Sequence, residues 1–521
     1  MTDHKQKALN ALAKGAGVTA IGMAVSKVLT YLYRISIARF IGPDAYGQLS
    51  LALMVIGIPS TIAYLSMGNG LKKFIPEFRA ENDSASIKGA VLSSLYITLP
   101  LSIILWAIIF FGAEFIAINF FDSKGLIPLI KILSFTIPIG VVKQTFYDTT
   151  LAFNKIIYKV ASVRIIQNIV QLGVTVGLLL LGYNVVSAAW GWLLGGIVAL
   201  LLGFYVVERK IGPILFSDVK PKYRTREMLR FSSPLVISGL IGTLMGWADT
   251  GFLGYYMTDY EVGLYNAALP TAMLILLPHK AIGSLSLTSF SELKEKNRDK
   301  VQDSIRTASY WIFSLVFPTF LIMLLYSEQV LKVLFGSQYG KASLALSILA
   351  VGYLVDTLVG KVGSYLQAEG HSDYFLYNNI AALTLNVLLN FILIPKFGIT
   401  GAAIATASST ALSNILLCFE AWKKEKVITI PKKLYRVVIA GIIPLLVIIG
   451  IDSILFVNTP FWFLFPAAII YYGVYFISFL NILGLGQEEK EVFLRIGEII
   501  EYEEEVEYII KKVEGLFGEK S

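Results

Sequence analysis

The sequence predicts an all-α polytopic membrane protein with about fourteen transmembrane helices. Two parallel six-helix lobes surround a central cleft, and two additional helices follow at the C-terminus. Three observations predict this. Of 521 residues, 56% are hydrophobic and 15% charged, more apolar surface than a soluble domain can bury. The apolar residues form runs of about 20 or more, the length that crosses a bilayer as a helix. The lysines and arginines between the runs alternate in density, as loops on two sides of a membrane do.

The spans lie near 15–41, 46–68, 88–112, 127–152, 156–181 and 185–207, then 231–257, 262–287, 307–326, 342–367, 374–394 and 399–421, and last 435–456 and 460–483. Loop charge tests the count. Lys5, Lys7 and Lys14 precede the first span, Lys72, Lys73, Arg79 and Lys88 follow the second, and seven basic residues run from Arg209 to Arg230. With the later loops, about twenty-seven basic residues fall on one side and about four on the other, which places both termini in the cytosol. The N-terminus has no short apolar core with a cleavage site, so it reads as a cytosolic lead-in. The domains follow as residues 1–207 for the N-terminal lobe, 208–230 for a basic cytosolic inter-lobe loop, and 231–421 for the C-terminal lobe. Residues 422–486 hold the two additional helices, and 487–521 an acidic amphipathic cytosolic tail.

Several function classes drop out. Cys418 is the one cysteine, and His4, His279 and His371 are far apart, so no disulfide framework, thiolate cluster or histidine ligand motif is present. No phosphate-binding glycine loop, nucleophile elbow or zinc-protease motif occurs, and nothing reads as catalytic. The net charge of +8 is the positive-inside signature and needs no nucleic acid. The loop ERKIGPILFSDVKPKYRTREMLR, with Phe216 and Tyr223 among its cations, is suited to anionic membrane lipids.

The halves echo each other at a shift of about 214 residues. ARFIGPDAYGQLSLALM parallels GFLGYYMTDYEVGLYNAALP, and LLLLGYNVVSAAWGWLLGG parallels FILIPKFGITGAAIATASS. Both copies start on the same side, so an axis along the membrane normal relates them, as in alternating-access carriers.

Charge inside the spans points to the cargo. Lys27, Tyr31 and Arg34 share one face of the first span, and each cation there costs about 2.5–3.5 kcal/mol without a partner. Lys27 either lines a wet cationic cleft or pairs within its lobe with a residue such as Asp148, while Arg39 is placed to snorkel. Lys131 and Lys143 lie in the fourth span. Arg164, Asn168, Gln171 and Thr175 form a stripe on the fifth, read either as substrate contacts or as a helix-helix seam. Cations in excess of anions suit an anionic substrate such as a pyrophosphate. In the C-terminal half, Asp249, Asn386, Asn390 and Thr406 offer one carboxylate and several neutral oxygens, chemistry for a monovalent cation or for a structural polar network. His279 and Lys280 in the eighth span either add charge to the cleft or, for His279 beside Pro278, bond a carbonyl that the proline frees.

The stretch LAKGAGVTAIGMAVSKVLTYLYRISIARFIGPDAYGQLSLAL, above all Arg39 to Gly47, resembles the polysaccharide biosynthesis transporters. These are the lipid-linked oligosaccharide flippases of the multidrug/oligosaccharidyl-lipid/polysaccharide exporter superfamily, to which the lipid II flippases are related. The resemblance implies a flippase, not an enzyme, that moves a polyprenyl or dolichyl (pyro)phosphate sugar from the cytosolic to the outer leaflet of the cell membrane by alternating access. It carries Lys27, Arg34 and Lys280 over as cationic cavity residues, although the second helix here has no basic residue, and Tyr31, Arg39, Lys143 and Arg164 join them as candidate substrate contacts. Sodium-coupled relatives imply a site at Asp249, Asn386, Asn390, the Ala402 carbonyl and Thr406, with Asn390 standing where the pattern has a carboxylate. No cofactor is expected, and the coupling ion is Na+ or H+. The partners implied are the lipid-linked sugar, membrane lipids and the glycosyltransferases or polymerase of the same pathway, with the protein itself a monomer. The rival reading is a cation-coupled multidrug antiporter of the same superfamily, which should carry carboxylates in its cleft. A third is a non-transporting membrane scaffold.

Overall fold

Glycine and proline punctuate a chain that is otherwise helical. The computed structural model describes residues 2–153, 156–279, 298–359, 362–369, 371–426, 434–455, 460–483 and 507. Among these residues there is no strand, and eleven stretches are long and apolar enough to cross a membrane. The protein is therefore an all-α, multi-pass membrane protein. Of these stretches, Asp373–Glu425 contains two of the predicted spans, and Val25–Ala80 contains the second and most of the first. The breaks fall at Gly42 (φ 78°) and Gly398 (φ 54°), left-handed conformations that favour glycine. Leu464–Phe479 is a shorter apolar helix. Of the acidic tail only Glu507 is among the described residues.

The helices run in order as α1 (Thr2–Tyr64), α2 (Met67–Ala80), α3 (Ser84–Phe111), α4 (Ala113–Asn119), α5 (Leu126–Ser134), α6 (Thr136–Ala152), α7 (Ile156–Leu180), α8 (Val186–Tyr205), α9 (Thr225–Tyr256) and α10 (Asp259–Ala272). There follow α11 (Arg298–Leu325), α12 (Ser327–Phe335), α13 (Ser343–Val359), α14 (Val362–Ala368), α15 (Ser372–Glu425), α16 (Leu434–Leu455) and α17 (Leu464–Leu483). By its contacts the chain divides into an N-terminal unit, Gly15–Ala267 with Leu383–Ala405, and a C-terminal unit, Met1–Lys14 with Ala268–Ala382 and Thr406–Ser521.

In the N-terminal unit α2 is the element that periodicity alone placed least well. Met67, Leu71, Ile75 and Phe78 recur on one face and pack with Ile87, Val91, Phe146, Val207 and Met228 into a core, while Lys72, Lys73 and Arg79 stay exposed. This is an amphipathic helix between two spans, not the end of one. Asp83 caps α3, accepting from Ser86 N at 2.9 Å and Ser86 Oγ at 2.7 Å. The segment after α8 is strapped down. The Glu208 carboxylate takes the backbone N–H groups of Ile214, Leu215 and Phe216 at 3.2, 2.7 and 3.4 Å. Lys88 donates to Ser217 O at 2.6 Å, and Lys222 N to Ala85 O at 2.9 Å. Gly182 (φ 88°) and Gly398 (φ 54°) both take positive φ and stand 216 positions apart, close to the shift at which the sequence repeats.

In the C-terminal unit, buried tyrosines satisfy their hydroxyls on helix carbonyls: Tyr475 on Ser314 O at 2.7 Å and Tyr471 on Gly441 O at 3.2 Å. Asn414 donates to Asp356 at 2.8 Å and Asn378 to Glu420 at 2.8 Å, so these acids hold helices together.

Candidate functional site

A cavity opens between α6, α7 and α8, where Gly203 and Ala199 leave room that larger side chains would fill. It encloses about 560 Å³ of empty space, its mouth included, and its polar lining is Lys143, Gln144, Tyr147, Thr150, Arg164 and Gln167. Helical spacing explains the set, since Lys143, Tyr147 and Thr150 recur at i, i+4 and i+7 on α6. The Arg164 guanidinium lies over the Tyr147 ring at 4.5 Å, a contact that fixes the arginine while leaving its donors available. Among the described residues no carboxylate lines the cavity. The nearby Asp148 is engaged elsewhere. It accepts from the Tyr64 hydroxyl, from Gln144 Nε2 at 3.0 Å and from Lys72 at 3.5 Å. Two cations, Lys143 half-buried and Arg164 exposed, therefore share one cavity with amide, hydroxyl and aromatic neighbours, an arrangement that favours an anion.

The structure brings together only part of the predicted set. Lys143 and Arg164 meet in this cavity, whereas Lys27, Tyr31, Arg34 and Arg39 do not line it. Lys27 and Arg39 are exposed, and Tyr31 and Arg34 half-buried. Arg34 reaches the Tyr46 hydroxyl at 3.5 Å, and that hydroxyl donates to Asn266 O at 3.3 Å. The partners of Asp148 are Tyr64, Gln144 and Lys72, so Lys27 is not paired with it. The stripe on α7 divides. Arg164 faces the cavity, while Asn168 donates to Ser26 O and Oγ, both at 3.0 Å, and to Thr30 Oγ1 at 3.2 Å. Gln171 and Thr175 crowd Gly191 of α8, where a Cβ would stand 2.7 Å from Gln171 O. The last three residues form a helix-helix seam. Lys280 lies outside the described residues. Gln144, Tyr147 and Gln167 had no signal of their own in the sequence, because uncharged polar residues on a helix do not announce which neighbour they will face.

A second polar centre surrounds Asp249. Asn386 and Asn390 of α15 donate to Asp249 Oδ1 at 3.1 and 2.7 Å, and Tyr265 to Oδ2 at 2.5 Å. Asn390 Nδ2 also lies 3.0 Å from Asn386 Oδ1. All four residues are buried, as is Ala402. Asn390 Oδ1 has no hydrogen-bond partner, an orphaned acceptor inside the protein. Thr406 belongs to the C-terminal unit. Tyr265 was the member that sequence spacing missed, since it comes from α10 and not from the helices carrying the motif.

Taken together, a multi-pass all-helical chain with a cationic intramembrane cavity and a buried carboxylate-amide cluster defines the class of a polytopic membrane transporter. Residues 36–344 match the family profile described as polysaccharide biosynthesis protein, and the chain belongs to that family. It is 26% identical over 381 residues to the probable low-salt glycan biosynthesis flippase Agl15 of Haloferax volcanii, covering 73% of this chain and 77% of that protein. Among solved structures it is similar to lipid II flippase MurJ in an inward closed conformation, with a TM-score of 0.70, 18% identity, and coverage of 89% of this chain and 98% of that one. It is also similar to an inward-facing multidrug resistance MATE transporter of the MOP superfamily, with a TM-score of 0.63, 19% identity, and coverage of 80% and 98%. These two likenesses identify the fold.

Proposed function

We propose that the protein flips a lipid-linked oligosaccharide, carried on a polyprenyl or dolichyl phosphate or pyrophosphate, from the cytosolic to the outer leaflet of the cell membrane. The observation that carries this reading is the pair Lys143 and Arg164 in one cavity with no carboxylate among the described residues of its lining. A phosphate is the group common to such substrates, and charge-assisted hydrogen bonds from an ammonium and a guanidinium hold it in place of water. Sugars bind more loosely around this handle, and the isoprenoid tail stays in the bilayer. Residues 1–207 and 231–421 act as the two lobes, and their rocking alternates access, with both termini in the cytosol. No covalent step is required. A carrier of organic cations needs the opposite lining, which makes the antiporter reading the weaker one.

Asp249, Asn386, Asn390 and the Ala402 carbonyl supply the oxygens that a sodium ion requires, and the orphaned Asn390 Oδ1 fits that demand. With the two amides turned so that oxygen faces Asp249, the cluster would hold the ion and supply a charge-linked bias on the return step. As they stand, the two amides donate to the carboxylate, and a proton is the other coupling ion that the test distinguishes. The test is flipping of a labelled lipid-linked oligosaccharide by purified protein in vesicles, with and without a sodium or proton gradient. Absence of flipping, together with export of cationic dyes, would transfer the protein to the antiporter class.

A further inference from the structure

The cavity between α6, α7 and α8 has an amide in its wall whose orientation chemistry dictates. Gln144 lines the cavity and stands four residues before Asp148 on α6, so the two share a helix face. Its Nε2 donates to Asp148 Oδ2 at 3.0 Å. The reverse orientation is excluded, because the carboxylate acts as an acceptor on every side. It also receives the Tyr64 hydroxyl and pairs with Lys72 at 3.5 Å, and an amide oxygen turned toward it would meet like partial charge. The carboxylate itself has little freedom. Asp148 is 2% exposed, and Gly68 is packed so closely that a Cβ there would fall on Asp148 Oδ2 and on the Tyr64 hydroxyl. Among the described residues Asp148 is the only hydrogen-bond partner of the Gln144 side chain. The Gln144 amide oxygen is therefore left to accept in the wall of the cavity that Lys143 and Arg164 also line.

We infer that Gln144 reads the sugar next to the phosphate, as a specificity-determining residue for which Asp148 is the positioning residue. The inference rests on the flippase reading of this cavity. An ionised phosphate diester presents only acceptors and is repelled by a carbonyl oxygen, so it sits against Lys143 and Arg164 and leaves Gln144 to a donor. In a lipid-linked sugar the isoprenoid tail has no donors, whereas the first sugar, on the other side of the phosphate, carries hydroxyl or acetamido N–H groups. The amide oxygen thus orients the cargo, with its first sugar toward Gln144 and its tail away from it. Asp148 acts through Gln144. An asparagine in its place offers both an oxygen and an amide nitrogen, and so no longer dictates which end of Gln144 it holds.

The test is the preference of the purified full-length protein for undecaprenyl diphosphate bearing one N-acetylglucosamine over undecaprenyl diphosphate itself, read as the ratio of the two dissociation constants in detergent. The parent protein is expected to prefer the sugar-bearing probe. Gln144→Met, which keeps the length of the side chain and removes the oxygen, should lower that preference about three- to tenfold, the span of one neutral hydrogen bond. Asp148→Asn should lower it in the same direction. Lys143→Gln should weaken both probes by a common factor and keep the ratio. A parent protein that does not prefer the sugar-bearing probe, or a Gln144→Met variant that keeps the parent's ratio, would overturn the inference and leave the flippase reading in place. An Asp148→Asn variant with the parent's ratio would overturn the positioning role. If that variant does not fold, Asp148→Asn combined with Lys72→Gln, which leaves no unpaired charge, takes its place with the same outcomes. A parent protein that binds neither probe removes the flippase reading, and the inference with it.

Discussion

The Asn390 amide donates to Asp249 Oδ1 at 2.7 Å, and its own oxygen, fully buried, has no hydrogen-bond partner. The pair is satisfied on one side and open on the other. Such an asymmetry is costly in a structural network and useful in a cluster that exchanges an ion, because turning the amide converts a donor to the carboxylate into a ligand.

Sodium should therefore raise the thermal midpoint of the purified protein relative to an equal concentration of choline. Saturation a hundredfold above the dissociation constant contributes about 2.7 kcal/mol. Asp249→Asn should abolish the difference, and Asn390→Asp should enlarge it. Equal midpoints of the parent protein in the two salts would remove sodium from the site.

Lys143→Gln and Arg164→Gln are expected to act in opposite directions on transport and stability. Each removes one of two cations in a shared cavity, so the thermal midpoint should hold or rise. Flipping should fall by roughly 10- to 100-fold, the loss of about one charge-assisted contact of 1.5–3 kcal/mol. A variant that loses stability and flips normally would show these cations to be braces.

Around Asp148 the expectations are structural. Tyr64→Phe removes one donor from a buried carboxylate and should cost about 1–3 kcal/mol. Gly68→Ala drives a Cβ onto the Tyr64 hydroxyl and the Asp148 carboxylate, and should cost about 1–3 kcal/mol through overpacking. Chemical denaturation in detergent measures both. A neutral outcome at Gly68 would mean that Tyr64 has another rotamer available.

The cap of α3 provides a pH dependence. Hydrogen bonds from Ser86, and then the charge of Lys222 at 3.8 Å, hold the Asp83 carboxyl below the ordinary range. A depressed pKa in the folded protein means that the stabilisation is complete above the unfolded value of about 3.9 and is lost as pH falls through the folded value. Carboxyl chemical shifts of Asp83 followed by NMR across the acid range check this. Lys222→Gln should move the transition toward higher pH, and an unshifted transition would separate the cap from the strap.

Apolar run length and loop charge made the helical membrane architecture legible, because lipid leaves a spanning chain few alternatives. The repeat was also legible, and Gly182 and Gly398 give it a conformational counterpart. The amphipathic α2 was not read as a separate helix, since Pro76 and three cations resemble the frayed end of a span until its four apolar residues are seen to share a face. Within the sites, charge at depth singled out Lys143, Arg164 and Asp249. It did not show that the first two share a cavity while Lys27 and Arg34 stay out of it, because helix rotation about neighbouring helices is set by packing. Asn168, Gln171 and Thr175 share a stripe with Arg164 and a different fate, for the same reason.

Gly47 and Gly263, 216 positions apart, cross main chain on main chain, since a Cβ on either would fall on a first-turn carbonyl oxygen of the other helix, Asp259 O or Pro43 O, and the crossing has an ancestral consequence. When a half-length precursor is duplicated, any lock built from side chains needs a matching key to evolve on the other copy. A glycine whose neighbour's carbonyl fills its missing methyl is both at once, so one inherited position would have sufficed to bring the two copies into contact. Related chains should then vary freely around that crossing while these two places resist every larger residue.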